Sequence, residues 1–298
     1  MDVETRNTAR IRYHYEIERN LARQLREAPK VSRGALYKSL YDELFQRVED
    51  HPQLRRKATP AVSAREVRRK MALVGRYLSP ETRLLEIGAG DCAFAYAAAE
   101  RVREVIAVDV SAEITHGTTP PPNFKLVISD GCSIPVPPES IDVVYSNQLM
   151  EHLHPDDAEE QVRNIYRALA PGGVYICITP NKVSGPHDVS LYFDDVATGF
   201  HLREYTYAEL IALFRAIEFK RFRGYFGGQG FYLRFPLWLL LAAEAILHKL
   251  PPTVRKRVTR SAPGRALLGP LRNTSDPPFR ANARIPVIVV GSLPKFDT

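Results

Sequence analysis

From Arg83 onward the sequence alternates short apolar runs with amphipathic stretches, and this alternation restricts the fold more than any other feature. The runs are Arg83 to Ile87, Glu104 to Val108, Phe124 to Ile128, Ile141 to Tyr145 and Gly173 to Ile178. Strands this apolar bury both faces, as in a parallel sheet covered by helices on each side. Helices are predicted between them at Cys92 to Arg101 and Pro155 to Leu169. Thr206 to Ile217 follows, with Thr206 placed to cap it and Glu209 three residues later to complete a capping box. Two further strands are expected near Phe219 to Phe226 and Ile285 to Val290, separated by an insertion that holds "FPLWLLLAAEAILHKL" and "RKRVTR".

Ahead of this α/β region, Thr8 to Ala28 and Ser32 to Asp50 carry apolar residues at helical spacing, and a third helix is predicted from Ser63 to Leu78. Together they would form an N-terminal helical cap over residues 1–78. The core is then expected at 79–228, the insertion at 229–283, and the last core strand with a tail at 284–298. With 298 residues and 45% apolar content, the chain can bury a substantial core. Cys92, Cys132 and Cys177 have neither metal-ligand nor redox spacing, which suggests reduced structural thiols in the cytoplasm. The first residues are charged and carry no apolar signal segment. Pro236 and Glu244 interrupt the longest apolar stretch, leaving it below the roughly 18 uncharged residues of a membrane span. The net charge of +7 conceals an asymmetry: +8 over residues 1–76, −11 over 77–216 and +10 over 217–298. Such blocks bear on association rather than on the fold.

"LLEIGAGDC", Leu84 to Cys92, is the most informative short stretch. Its Gly88-x-Gly90-x-x-Ala93 spacing fits a dinucleotide turn, and Asp109 follows about 20 residues on, where an acid binds ribose hydroxyls. Glu86 argues against a dinucleotide, because a carboxylate two residues before the first glycine would face the pyrophosphate at short range. S-adenosylmethionine lacks phosphate and carries a sulfonium and an ammonium, and the acidic middle segment agrees with such a cationic cofactor.

"LLEIGAGDC", "VIAVDVS", "ISDGCSIPVPPESIDVVYSNQLMEHL" and "IYRALAPGGVYICITPN", in this order, resemble the successive motifs of the class I S-adenosylmethionine-dependent methyltransferases. The likeness is to the small-molecule branch of methyltransferase type 11 kind, and it covers about two thirds of the chain, from Leu84 to Gly291. It implies a Rossmann-like, doubly wound, mostly parallel seven-stranded sheet whose last strand is antiparallel. It also implies that Glu86, Gly88, Ala89 and Gly90 shape the methionine end of the cofactor site. Asp109 would take the ribose hydroxyls, with Val110 beside the adenine. Asp130 would accept from the adenine amino group beside Gly131, and Asn147, with Gln148 nearby, would lie at the sulfonium. The local alternatives are a simple turn at Asp130-Gly131 and a strand-end cap at Asn147.

Methyl transfer needs alignment of nucleophile, methyl and sulfur, and a hydroxyl acceptor usually needs a base as well. His152 and His187 are the candidate catalytic residues, with His201 a further candidate and Asp188 placed to orient His187. His152 and His154 resemble half of a metallohydrolase His-x-His-x-Asp pattern, but Asp157 stands where that pattern needs another histidine. No metal site is expected there. The insertion reads as a lid, a dimer surface, or a membrane-surface element with Arg255, Lys256 and Arg257 near anionic headgroups, which would put the protein at the inner face of a membrane. The basic ends come without an RNA-binding module, so nucleic acid is not the expected partner. The sequence therefore points to methyl transfer, preferably to oxygen, on a small-molecule, glycan or lipid-linked acceptor. A cofactor-binding adaptor and an NAD-dependent oxidoreductase are the competing classes.

Overall fold

The computed structural model describes residues 6–51, 54, 60–111, 119–228, 231–260 and 286–292. Its centre is an eight-stranded sheet in the order β3-β2-β1-β4-β5-β8-β6-β7. The strands are β1 (Arg83–Ile87), β2 (Glu104–Asp109), β3 (Phe124–Ile128), β4 (Ile141–Asn147), β5 (Leu169–Pro180), β6 (Arg221–Gly228), β7 (Phe231–Phe235) and β8 (Pro286–Ser292). The first five pair in parallel, and β8 lies antiparallel between β5 and β6. This is the mostly parallel, doubly wound α/β arrangement expected, including the reversed last strand.

The sheet has one strand more than the seven expected. Phe231–Phe235, read from the sequence as the start of a helical insertion, pairs antiparallel with β6 from Gly224↔Phe235 to Gly228↔Phe231. The physical reason is a period of two: Tyr232 is buried among Tyr145, Tyr225 and Ile178, whereas Leu233 on the opposite side stays exposed. β5 also begins earlier than expected. Leu169 already pairs with Ile141, and the register shifts before Val143 meets Val174, so the Pro171-Gly172 segment sits in an irregularity rather than before the strand.

Period two also sorts the core. Leu85, Ile87, Ile106, Val108 and Val144 face one side, where they pack with α1 (Thr8–Glu27), α2 (Lys30–Arg47), α5 (Pro155–Ala168) and α6 (Tyr207–Ala216). Leu84, Val105, Ala107, Val143 and Tyr145 face the other, against α3 (Pro60–Val74) and α4 (Ala93–Ala99). The three N-terminal helices therefore divide between the two faces. The capping box on α6 forms as expected, Thr206 accepting from Glu209 N–H and Glu209 from Thr206 N–H. Burial pushes the thiols of Cys92, Cys132 and Cys177 up to about 12, so all three are neutral, and all three are free.

Within the insertion, α7 (Leu237–Lys249) is docked through one buried acid. Glu244 accepts from Asn181 Nδ2 at 3.0 Å and from the backbone N–H groups of Tyr207 at 2.8 Å and Ala208 at 3.0 Å. It thus joins the helix to the end of β5 and the start of α6. The following α8 spans Pro252–Arg260. No helix among the described residues is long and apolar enough to cross a membrane.

α2 is held to the core by a buried ion pair. Arg33 donates to Asp157 through Nε at 2.7 Å and Nη2 at 2.5 Å, and Tyr37 donates its hydroxyl to the same carboxylate at 2.7 Å. Asp157→Asn would leave the Arg33 charge buried beside a neutral group, so urea denaturation should show a loss of about 3 kcal/mol. A change near zero would mean that the pair does not hold α2.

Candidate functional site

The glycine loop leaves β1 at the C-terminal edge of the sheet, the edge where open α/β folds bind ligands. Gly88 and Gly90 both take left-handed backbone, with φ of +69° and +56°. A Cβ at Gly88 would also stand 3.2 Å from Leu149 Cδ1, so both space and conformation require glycine there. Two bonds tie the loop to the end of β2: Gly88 N–H donates to Val108 O at 2.8 Å, and Gly90 N–H to Asp109 Oδ2 at 2.8 Å. Asp109 Oδ1 accepts from Val110 N at 2.7 Å and Ser111 N at 3.2 Å. Three amides therefore orient this carboxylate, which has about four acceptor positions in all. The Gly90 N–H that would cradle a pyrophosphate is already committed to an anion.

Glu86 lies on the α3/α4 side of the sheet, where it is almost fully buried. Lys70 of α3 donates to its Oε1 at 3.1 Å and also stands over the rings of Phe94 and Tyr145. Glu86 Oε2 is buried without a hydrogen-bond partner. Burial raises the Glu86 pKa, and the Lys70 charge opposes that shift only in part. Lys70 was not legible as a site residue, since nothing in "REVRRK" distinguishes the one lysine that turns inward. It neutralises much of the charge on Glu86, so the case against a pyrophosphate rests on the Gly90 N–H being taken rather than on the charge of Glu86.

Asp130 takes the simple-turn geometry: its carboxylate accepts from Cys132 N at 2.9 Å, Ser133 N at 2.7 Å and the Ser133 hydroxyl at 2.9 Å. Gly131 has φ of +89°, its carbonyl accepts from Gln161, and its Cα faces the Tyr37 ring of α2. Asn147 ends β4 opposite Ile178, and Gln148 follows in left-handed conformation with its N–H on Ile178 O at 2.8 Å.

The histidines separate into distinct settings. His154 caps α5, accepting from Asp156 N at 3.3 Å, and Asp157 is taken by Arg33, so the His-x-His-x-Asp stretch does not converge. His187 is buried, with Nε2 against Asn181 O at 3.1 Å and the Ser184 hydroxyl at 2.9 Å, and it holds the loop after β5. Asp188 follows it in the chain. That carboxylate caps the 3-10 turn Val189–Tyr192 and accepts from His201 N at 3.2 Å. His152 and His201, far apart in sequence, meet edge to face with ring centroids 4.9 Å apart. Tyr41 of α2 packs on His152 and Phe200. Its hydroxyl is held well above the ordinary tyrosine pKa by burial and by the charges of Glu151, Glu18 and Asp109. Tyr41 thus lies in the electrostatic reach of both the glycine loop and the histidine pair. Glu151, Phe200 and Glu204 were missed because their only sequence signal is proximity to a histidine, and Tyr41 because it reads as part of the apolar face of α2.

Residues 85–177 match the family model described as "Methyltransferase domain". A probable S-adenosylmethionine-dependent methyltransferase of Mycolicibacterium smegmatis is 33% identical over 138 residues, covering 46% of this chain and 51% of the relative. A relative of the same description from Mycobacterium tuberculosis is 32% identical over 131 residues, covering 44% and 46%. The chain thus spans about half the length of the curated relatives it matches. Among solved structures, a chain from the Haloferax volcanii complex of a methyltransferase activator and a methyltransferase shares the fold. Its TM-score is 0.52 at 14% identity, covering 78% of this chain and 92% of that one. Residues 85–177 thus resemble a methyltransferase domain, and the curated relatives that the chain matches are described as S-adenosylmethionine-dependent, in line with the ordered motifs.

Glu86 gives this site a pH signature. Because its folded pKa is raised, the folded state holds a proton that the unfolded state releases above the ordinary value of 4.5, so this group's contribution to stability declines as pH rises through the folded pKa. Thermal denaturation of Glu86→Gln against the unsubstituted protein should show the variant gaining relative stability from about pH 4.5 upward. A pH-independent difference would contradict the buried carboxylate.

Proposed function

We propose that this protein transfers a methyl group from S-adenosylmethionine to an oxygen of a small-molecule, glycan or lipid-linked acceptor. The observation that carries the reading is the Asp109 carboxylate clamped against the glycine loop inside the matched domain. Oriented by three amides, it presents its remaining acceptor capacity at the sheet edge where ribose hydroxyls are expected. The cofactor fits the residues present: Glu86 Oε2 is a buried acceptor with no hydrogen-bond partner, and a Cβ at Gly90 would meet no atom within 4 Å. Glu86 with Gly88, Ala89 and Gly90 would hold the methionine end, Asn147 the sulfonium region, and Val110 with the Asp130-Gly131 turn the adenine. Asp130 would serve by shaping that turn, since its oxygens are engaged within it.

When bound, the cofactor supplies a methyl carbon activated by a sulfonium, so the chain's task is to align the acceptor and exclude water. Tyr41, Phe200 and the His152–His201 pair would form the acceptor side, with His152 reachable and His187 occupied in holding its loop. Calorimetry tests the reading directly. S-adenosylmethionine should bind and NAD should not, and Asp109→Ala should weaken binding about tenfold or more, equivalent to about 1.4 kcal/mol. Unchanged affinity in a folded variant would remove Asp109 from the site, and binding of NAD alone would move the protein to the oxidoreductases.

A lipid-linked acceptor is favoured by the outer face of the insertion. Trp238 is 68% and Ile246 64% exposed, and Arg234, Lys249 and Arg257 in the same stretch of sequence are exposed as well. Exposed apolar side chains together with cations suit an anionic bilayer surface. The protein should sediment with phosphatidylglycerol vesicles at low salt, and Trp238→Ala should weaken this severalfold. Equal recovery with neutral vesicles, or no effect of the substitution, would remove the membrane from the account.

A further inference from the structure

Among the described residues, two groups each bring two histidines and a carboxylate together with their ligand atoms within 4.8 Å: His14, Glu18 and His51, and Glu151, His152 and His201. The ring tautomers separate them. In the first group the Arg6 guanidinium, which only donates, lies 2.9 Å from His14 Nδ1. The His14 proton is then on Nε2, directed at Glu18 Oε1 2.8 Å away. Glu18 Oε2 accepts from Phe200 N at 3.0 Å, and burial holds His51 below the ordinary histidine pKa. This is a buried hydrogen-bonded network with a cation against it, a poor setting for a second positive ion.

The second group has the opposite polarity. His152 Nδ1 lies 2.9 Å from Phe200 O, and a carbonyl only accepts, so Nδ1 carries the proton and Nε2 the lone pair. His201 Nδ1 lies 2.8 Å from the Glu204 carboxylate, with the same consequence. The Glu151 carboxylate is oriented by the Thr179 hydroxyl at 2.9 Å. The Glu151 carbonyl accepts from Leu202 N at 2.7 Å and Arg203 N at 3.2 Å, fixing the segment that carries His201. Histidines that give their second ring N–H to a carbonyl or carboxylate are the usual arrangement around protein-bound metals.

We propose that Glu151, His152 and His201 bind a divalent transition-metal ion, for which Zn²⁺ and Co²⁺ are the probes. Two imidazole nitrogens and one carboxylate oxygen suit such ions, and three protein ligands leave a coordination position for an oxygen of another molecule. The group sits beyond the ends of β4 and β5, with His152 against Tyr41. This departs from the sequence expectation of no metal, because the ligand partner of His152 is His201 rather than His154. That the open position receives the acceptor rests on the methyl-transfer reading; ion binding itself does not.

Full-length protein, stripped with a chelator and dialysed, is titrated with Zn²⁺ by calorimetry and with Co²⁺ by visible absorption, in the absence of cofactor. One ion per chain is expected, with His152→Ala and His201→Asn each weakening binding about tenfold or more and His51→Ala leaving it within about twofold. Should either ligand variant fail to fold, Co²⁺ broadening of histidine ring resonances in the unsubstituted protein decides the matter: His152 and His201 should disappear first. Absence of saturable binding, or broadening confined to His14 and His51, overturns the proposal. Because no cofactor is present, failure here leaves the S-adenosylmethionine reading intact.

Discussion

The Asp109 carboxylate is the constraint around which the rest of the site is arranged. It ends β2 and takes the N–H of Gly90 from the loop that ends β1, so two neighbouring strands and a left-handed turn are fixed by one side chain. Its other oxygen takes the next two amides of its own chain. The acceptor capacity that remains to it lies at the sheet edge and suits ribose hydroxyls. Glu86, paired with Lys70, keeps one unpartnered buried oxygen on the α3/α4 side of the sheet.

The N-terminal helices α1 and α2 pack along the other side of this edge. The buried Arg33–Asp157 pair fixes α2, and α2 in turn brings Tyr37 against Gly131 and Tyr41 against His152. From α1, Glu18 takes the N–H of Phe200, whose carbonyl takes the His152 ring proton. One residue, Phe200, therefore joins the buried network of α1 to the histidine pair. In the proposed reading Tyr41, Phe200 and His201, from outside the matched segment 85–177, would build the acceptor side with His152 from inside it.

Much of the sheet could be read from the sequence because both of its faces are buried, so its central strands are runs that no other element explains as well. Strand ends were less legible. Asp109 and Asn147 are polar yet still pair in β2 and β4, since the ladder is made by the backbone. β7 was hidden because Phe231–Phe235 runs into an apolar helix, and composition does not mark where a period of two gives way to 3.6. The glycine loop and Asp109 were legible because their chemistry depends on fixed local spacing. The partners Lys70–Glu86 and His152–His201 were not, because each is made by long-range packing; the neighbouring histidines of "EHLHPDD" in fact point to separate tasks.

In the proposed reading Asp109 and the glycine loop form the ribose and methionine side of an S-adenosylmethionine site. The most direct measurement is a crystal structure of the protein with S-adenosylhomocysteine. Ribose hydroxyls are expected within hydrogen-bond distance of the Asp109 carboxylate, with the amino acid end against Gly88 to Gly90. A ligand bound elsewhere on the chain, or lying across the loop with its ribose away from Asp109, would contradict it.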